Sequence, residues 1–203
     1  MNTDSASFIH VPRMHIVFLL NNSVFMRGIP IDQLNDIMKK VIKVVKRESE
    51  EKEVNLSIRV IVYNSSSDFI EGNTFLGENH TIWTPIKLSD CDCADLAGAI
   101  HLSRNALRRP FVSMGDCRPI IILISNGIAD NIETFDYELD NLKNLLKGKI
   151  VRIAIAVKGS NRKVLSNFAS IGWIFHDDGS LEENVPLVLD GTNLREGALN
   201  FLG

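Results

Sequence analysis

Three short stretches hold most of the side chains able to bind or react: Asn21, Asn22 and Ser23 in "LLNNSVFMRG", Asp90 to Asp95 in "SDCDCADLAGA", and Asn126 in "ISNGIADN". Amides and hydroxyls exchange neutral hydrogen bonds, carboxylates attract hard cations, and thiolates take softer ones. Nucleophilic catalysis finds no support. Ser23 has no neighbour resembling a triad, G-x-S-x-G is absent, and the histidines are scattered, with His15 inside one apolar run and His176 after another. Nucleotide phosphate binding lacks its signals too, because neither G-x-G-x-x-G nor G-x-x-x-x-G-K-[ST] occurs.

A zinc site would draw on Cys91, Cys93, Cys117, His80 and His101. Structural zinc sites pair C-x₂₋₄-C knuckles, whereas here a tight C-x-C stands with one distant cysteine, so ordinary thiols are the simpler reading. Asp90, Asp92 and Asp95 would suit a cation. Asp95, however, sits where a helix begins, and a negative charge is favoured there in any case.

These loops need a scaffold. Nearly continuous apolar runs at 15–20, 55–63, 119–125 and 150–157 have the pattern of strands buried on both faces. Helical spacing lies between them. Ile31, Leu34, Met38, Val41 and Val45 share one face after Pro30; Leu96, Ala99, Ile100, Ser103, Ala106 and Leu107 share another before Pro110; Ile132, Phe135, Leu139, Leu142 and Leu146 form a third before Gly148. "KRESEEKE" reads as the solvated end of the first helix, and Trp83 and Trp173 as packing residues. "SNRKVLSNFAS" suggests a short helix, "IGWIF" a further strand and "TNLREGALNFL" a last helix. "NSSSD" marks a hairpin turn between "LSIRVIVY" and "DFIEG", adding an antiparallel edge strand. The alternation predicts an α/β fold: a doubly wound, mostly parallel sheet with one antiparallel edge strand and helices on both faces. In such sheets ligands bind outside the carboxyl ends of the strands, where the three polar loops converge.

Length and composition agree with one domain spanning 1–203, with a core at about 14–176 and an N-terminal extension at 1–13. The 22 basic and 25 acidic residues leave a charge of −3 with no basic stripe, which argues against nucleic acid. No run approaches the roughly 20 apolar residues of a membrane-spanning helix. "MNTDSASFIHVPRMH" lacks a secretory leader pattern, and three cysteines imply no disulfide framework, so a cytoplasmic location is expected.

"HIVFLLNNSVFMRGIPIDQLNDIM", "IWTPIKLSDCDCADLAGAI" and "RPIIILISNGIADN", in that order, resemble the von Willebrand factor type A family, and within it the bacterial TerY-like tellurium-resistance members, over about residues 14–176. That family carries D-x-S-x-S after the first strand, G-x-T-x-L-G before an Ala-rich helix, and T-D-G-x-x-x-D after a later strand. The resemblance implies a metal-ion-dependent adhesion site, in which these residues hold Mg²⁺ and a partner's carboxylate completes the shell. Asn21, Ser23, Phe25, Ala94 and Asn126 stand at those positions here, so both carboxylates and one hydroxyl are gone and a ring replaces an oxygen ligand. The residues thus predict a degenerate site that holds no divalent cation and no other cofactor.

Two readings of the polar cluster stand at this stage: a satisfied network tying loops together, or a metal-free rim of Asn21, Asn22, Ser23, Phe25, Met26, Ala94 and Asn126 that contacts another protein, a second copy of this chain included. Phe25 and Met26 would be its apolar anchors if exposed. The function so expected is that of a non-enzymatic adaptor or assembly subunit, and the resemblance adds a bacterial stress-response, resistance or defence setting. The alternatives are a Mg²⁺-dependent adhesion module using Asp92 or Asp95, and a small hydrolase or nucleotide-binding protein with an acid/base pair at the same loops.

Overall fold

The computed structural model describes residues 11–70, 83–108 and 110–170, and the backbone of 172–175, 181–186 and 188–190. Its strands and helices are β1 (Arg13–Asn21), α1 (Ile29–Glu51), β2 (Asn55–Tyr63), β3 (Ser67–Phe69), α2 (Leu96–Leu107), β4 (Ile120–Ser125), α3 (Ile132–Asn144), β5 (Val151–Ala156), α4 (Arg162–Phe168), β6 (Gly172–Phe175), β7 (Leu181–Pro186) and β8 (Val188–Asp190). The main sheet has six strands in the order β3-β2-β1-β4-β5-β8. All its pairings are parallel except that of β3, which turns back on β2 and forms an antiparallel edge.

Strand side chains alternate between two faces, and here both faces are dry. Met14, Ile16, Phe18 and Leu20 of β1 pack with Ile122, Ile124, Ile153 and Ile155 beneath α1, whose Leu34, Ile37, Met38, Val41 and Val45 point inward. Val17, Leu19, Ile121 and Leu123 face the other way, against Ile100 and Leu107 of α2, Phe135, Leu139 and Leu142 of α3, and Leu165 and Phe168 of α4. Burial on both faces explains why these runs read as continuous rather than alternating.

The topology also fixes where the sheet opens. From β1 the chain crosses to β2 through α1 on one face, and from β4 it crosses to β5 through α3 on the other. β1 and β4 are neighbours, with Leu20 opposite Ile124, so the chains leaving Asn21 and Ser125 diverge and leave a crevice between them. Gly28 lets the chain turn there: its φ of 78° lies in the left-handed region, and Pro30 follows in the first turn of α1.

Three sequence-based expectations need correction. "IGWIF" does not extend the main sheet; β6 pairs antiparallel with β7 in a separate two-stranded sheet, and β8 takes the place beside β5. The charged "KRESEEKE" stretch is not merely a solvated end, since α1 runs through to Glu51 and Glu48 and Ser49 are buried. Ile132, assigned to the inner face of α3, is exposed at the helix start. The stretches that suggested an N-terminal extension and a last helix fall largely or wholly outside the described residues. Among the described residues no helix is long and apolar enough to cross a membrane.

Candidate functional site

Asn21, the last residue of β1, is fully buried at the crevice floor. Its Nδ2 donates to Asn126 Oδ1 (3.2 Å) and, more weakly, towards Ser125 Oγ (3.5 Å), while its Oδ1 accepts from the Ser23 amide (2.9 Å). Asn126 is fixed just as fully. Its Oδ1 also accepts from Ile128 N (3.2 Å), and its Nδ2 donates to Phe25 O (3.0 Å). Rotating either amide by 180° would set donor against donor or acceptor against acceptor, so these partners determine both orientations.

Ser125 extends the network. Its Oγ accepts from the Tyr63 hydroxyl (2.9 Å) and from Gly127 N (3.0 Å). Burial pushes the Tyr63 hydroxyl well above its ordinary range, the Ser125 hydrogen bond offsetting this in part, so the phenol stays neutral. Gly127 has a φ of 73°, and a Cβ there would collide with the Asn161 carbonyl. Asn161 N in turn donates to Asn126 O (2.7 Å), which docks this turn on the loop after β5.

Asn22 ties three segments together. Its amide donates to Tyr63 O (3.1 Å), its Nδ2 donates to Lys87 O (3.2 Å), its Oδ1 accepts from Asn64 Nδ2 (3.0 Å), and its carbonyl accepts from Ser89 N (2.7 Å). The loop that meets it is clamped from below by Asn35 on α1, whose Oδ1 accepts from Trp83 Nε1 (3.1 Å) and Ile86 N (2.9 Å) and whose Nδ2 donates to Ile31 O and Ile86 O (each 3.1 Å). Trp83 is accordingly a packing residue and buried.

A short 3₁₀ turn, Val24–Met26, carries the rim residues outward and inward by turns. Phe25 is 39% exposed, whereas Met26 is completely buried. Met26 is therefore not a surface anchor. One turn of three residues cannot face two consecutive side chains the same way, and burying a methionine is worth about 1.5–3 kcal/mol. Ala94 is buried too, and its amide donates to both carboxylate oxygens of Asp130 (2.7 Å each).

Asp130 is the carboxylate that pattern reading overlooked, along with Tyr63, Asn64, Ser125 and the clamp Asn35. Tyr63 and Ser125 end their strands, so the strand-end rule that singled out Asn21 would have found them. Asp95 caps α2, accepting from Gly98 N (2.8 Å), which is the helix-start role its position suggested. Asp92 Oδ1 accepts from the Cys93 thiol (3.8 Å). Cys117 lies elsewhere, its amide on Arg13 O at the start of β1, and His101 Nδ1 lies 3.4 Å from Glu138 on α3. Among the described residues no three His, Cys, Asp or Glu side chains gather as a metal cluster. His80, Trp173 and His176 fall where side chains are not described.

Fold and crevice together define a doubly wound α/β protein whose polar crevice lies where the sheet opens between β1 and β4. No family model matches the chain, and no curated protein sequence matches it. Among solved structures the chain is similar to proximal thread matrix protein 1 from the mussel byssus, at 14% identity and a TM-score of 0.57, over 95% of this chain and 46% of that one. A second structure of that matrix protein gives the same identity and TM-score over 44% of its chain, and a third, with a zinc-occupied MIDAS motif, does so over 46%. This chain thus spans less than half the length of these neighbours, and the likeness is one of fold.

Proposed function

We propose that the protein is a non-enzymatic protein-interaction module, a single von Willebrand A-like domain whose adhesion site has lost its metal and kept its shape. The observation that carries this reading is the direct Asn21 Nδ2–Asn126 Oδ1 hydrogen bond of 3.2 Å. At the two positions where the resemblance puts carboxylates around an ion, neutral amides bond to each other across the crevice.

The donors present do not fit a divalent cation. Mg²⁺ prefers near-octahedral oxygen ligation with carboxylate charge to offset the loss of water, and the floor offers amides already committed to one another. Ser23 Oγ is buried and finds no hydrogen-bond partner among the described residues, but one neutral oxygen is a poor substitute for two carboxylates. Asp130 is spent on Ala94 N and Asp95 on its helix, which weakens the version of the site rebuilt around Asp92 or Asp95. An acid/base pair for hydrolysis would have to come from the same loops, whose Asp95 and Asp130 carboxylates already accept backbone amides and whose Asp90 pairs with Arg27 (3.4 Å).

The contact surface in this reading is the rim above the floor: Phe25 and Asn22, with Ile29 at the start of α1 and Ile132 at the start of α3, both exposed at the same end of the sheet. Exposed apolar side chains around a rigid polar floor suit a protein partner. The matrix role in the neighbour's name agrees with an assembly function, and the TerY-like resemblance of the sequence points to a bacterial stress-response, resistance or defence system in the cytoplasm. The test compares wild type with Phe25→Asp in quantitative affinity capture from the native host, each with Mg²⁺ and with EDTA. A partner retained equally in both buffers and lost from Phe25→Asp supports the proposal; recovery that requires Mg²⁺, or that ignores the substitution, contradicts it.

A further inference from the structure

The C-x-C on the rim loop is not used by the network above. Cys91 and Cys93 are both free and partly exposed. Their surroundings differ: the Ser65 hydroxyl lies within donating reach of Cys91 Sγ (3.4 Å), its one hydrogen shared with Asn64 Oδ1 (3.3 Å), whereas the Cys93 thiol points to the Asp92 carboxylate (3.8 Å). A donor at one sulfur stabilises its thiolate; an acceptor at the other keeps it protonated.

We infer that Cys91 and Cys93 form a thiol oxidation site for hydroperoxides, in which Cys91 is the attacking sulfur and Cys93 the resolving one. In the first step the Cys91 thiolate attacks a peroxide oxygen, the O–O bond breaks, and the alkoxide or hydroxide leaving group takes a proton from water, giving a sulfenic acid and an alcohol or water. In the second, Cys93 sulfur attacks the sulfenic sulfur, the S–O bond breaks, and the thiol proton leaves with that oxygen as water. Two thiols are oxidised to one disulfide and one peroxide is reduced. Residues two apart have Cα atoms no more than about 7 Å from each other, which reaches into the span of a disulfide.

The ionisation of the two thiols follows the same asymmetry. Hydrogen bonds from Ser65 and Ser89 hold the Cys91 thiol below its ordinary range. Burial, with the Asp130 and Asp92 carboxylates, pushes Cys93 up. The site also has a mechanical outlet, because Cys91 O accepts from Val24 N (2.8 Å) in the turn that carries Phe25. Oxidation there would act on the contact surface; that consequence rests on the proposed rim function, whereas the chemistry does not.

Peptide mass spectrometry of the purified chain tests this without any partner. Iodoacetamide in limiting amount is expected to label Cys91 about tenfold faster than Cys93 or Cys117, and Ser65→Ala to slow Cys91 several-fold. Hydrogen peroxide should remove two mass units from the peptide containing both cysteines. Cys93→Ser should instead leave a sulfenate on Cys91 that dimedone captures, and Cys91→Ser should show neither product, each variant being checked for an unchanged melting temperature. Equal labelling of the three thiols, or peroxide products confined to Cys117, would overturn the assignment.

Discussion

At the carboxyl end of β1 and β4, Asn21, Ser125 and Asn126 meet through neutral hydrogen bonds, whereas near the amino end of β1 His15 donates from Nε2 to Asp116 (3.1 Å). Both sites are shielded, the His15 and Asp116 side chains being 3% exposed each. Burial raises the Asp116 carboxyl, but the amide of Ser113, the His15 ring and the amide of Arg13 outweigh it and hold the group below its ordinary range. Burial lowers His15 despite the carboxylate beside it, so a neutral imidazole faces a carboxylate. The buried His15–Asp116 pair therefore responds to pH, whereas the buried Asn21–Ser125–Asn126 network, with no carboxylate or imidazole in it, does not.

Introducing charge at the neutral end is the most severe way to break this contrast. In Asn21→Asp a buried carboxylate would face Asn126 Oδ1, which cannot rotate away without losing Ile128 N and Phe25 O. Urea denaturation at pH 7 should show a loss of about 3–5 kcal/mol, shrinking in acid as the protonated carboxyl regains a donor. Gly127→Ala comes next: the φ of 73° and the collision with the Asn161 carbonyl predict a loss of about 2–3 kcal/mol in the same assay. Removing the α2 cap in Asp95→Ala should cost about 1 kcal/mol, leaving the crevice bonds in place.

The charged end supplies the gentlest effect and the sharpest control. With the His15 pKa lowered from 6.5, the folded state binds fewer protons than the unfolded chain just below that pH, so stability from this group is full above about 6.5 and falls as pH drops through the lowered value. Asp116, also lowered, adds a loss in the same direction in more acid solution. Melting temperatures from pH 7.5 to 5 should decline in wild type and flatten in His15→Gln, which keeps a donor towards Asp116.

Much of this arrangement was legible in the sequence where burial leaves a pattern. The runs of β1, β2, β4 and β5 are apolar because both their faces are covered, and every residue assigned to the inner face of α2 lies there. The edge hairpin was legible in "NSSSD". What could not be read depends on pairing without apolar periodicity. "LEENVP" forms β7 although it holds two glutamates and a proline, and β8 is three residues long. Asn35 was missed because a polar residue in a helix counts as solvent-facing until the partners that a distant loop brings to it, Trp83 and Ile86, are known. Met26 carries no periodicity that would show which way a three-residue turn faces.

Whether the crevice holds a divalent ion is measured most directly by thermal unfolding of the wild-type protein with and without millimolar Mg²⁺, Mn²⁺ or Zn²⁺, since any ligand that binds only the folded chain raises its melting temperature. An unchanged melting temperature with each ion is the predicted result. A concentration-dependent rise that disappears in Ser23→Ala would place a metal at the crevice and contradict it.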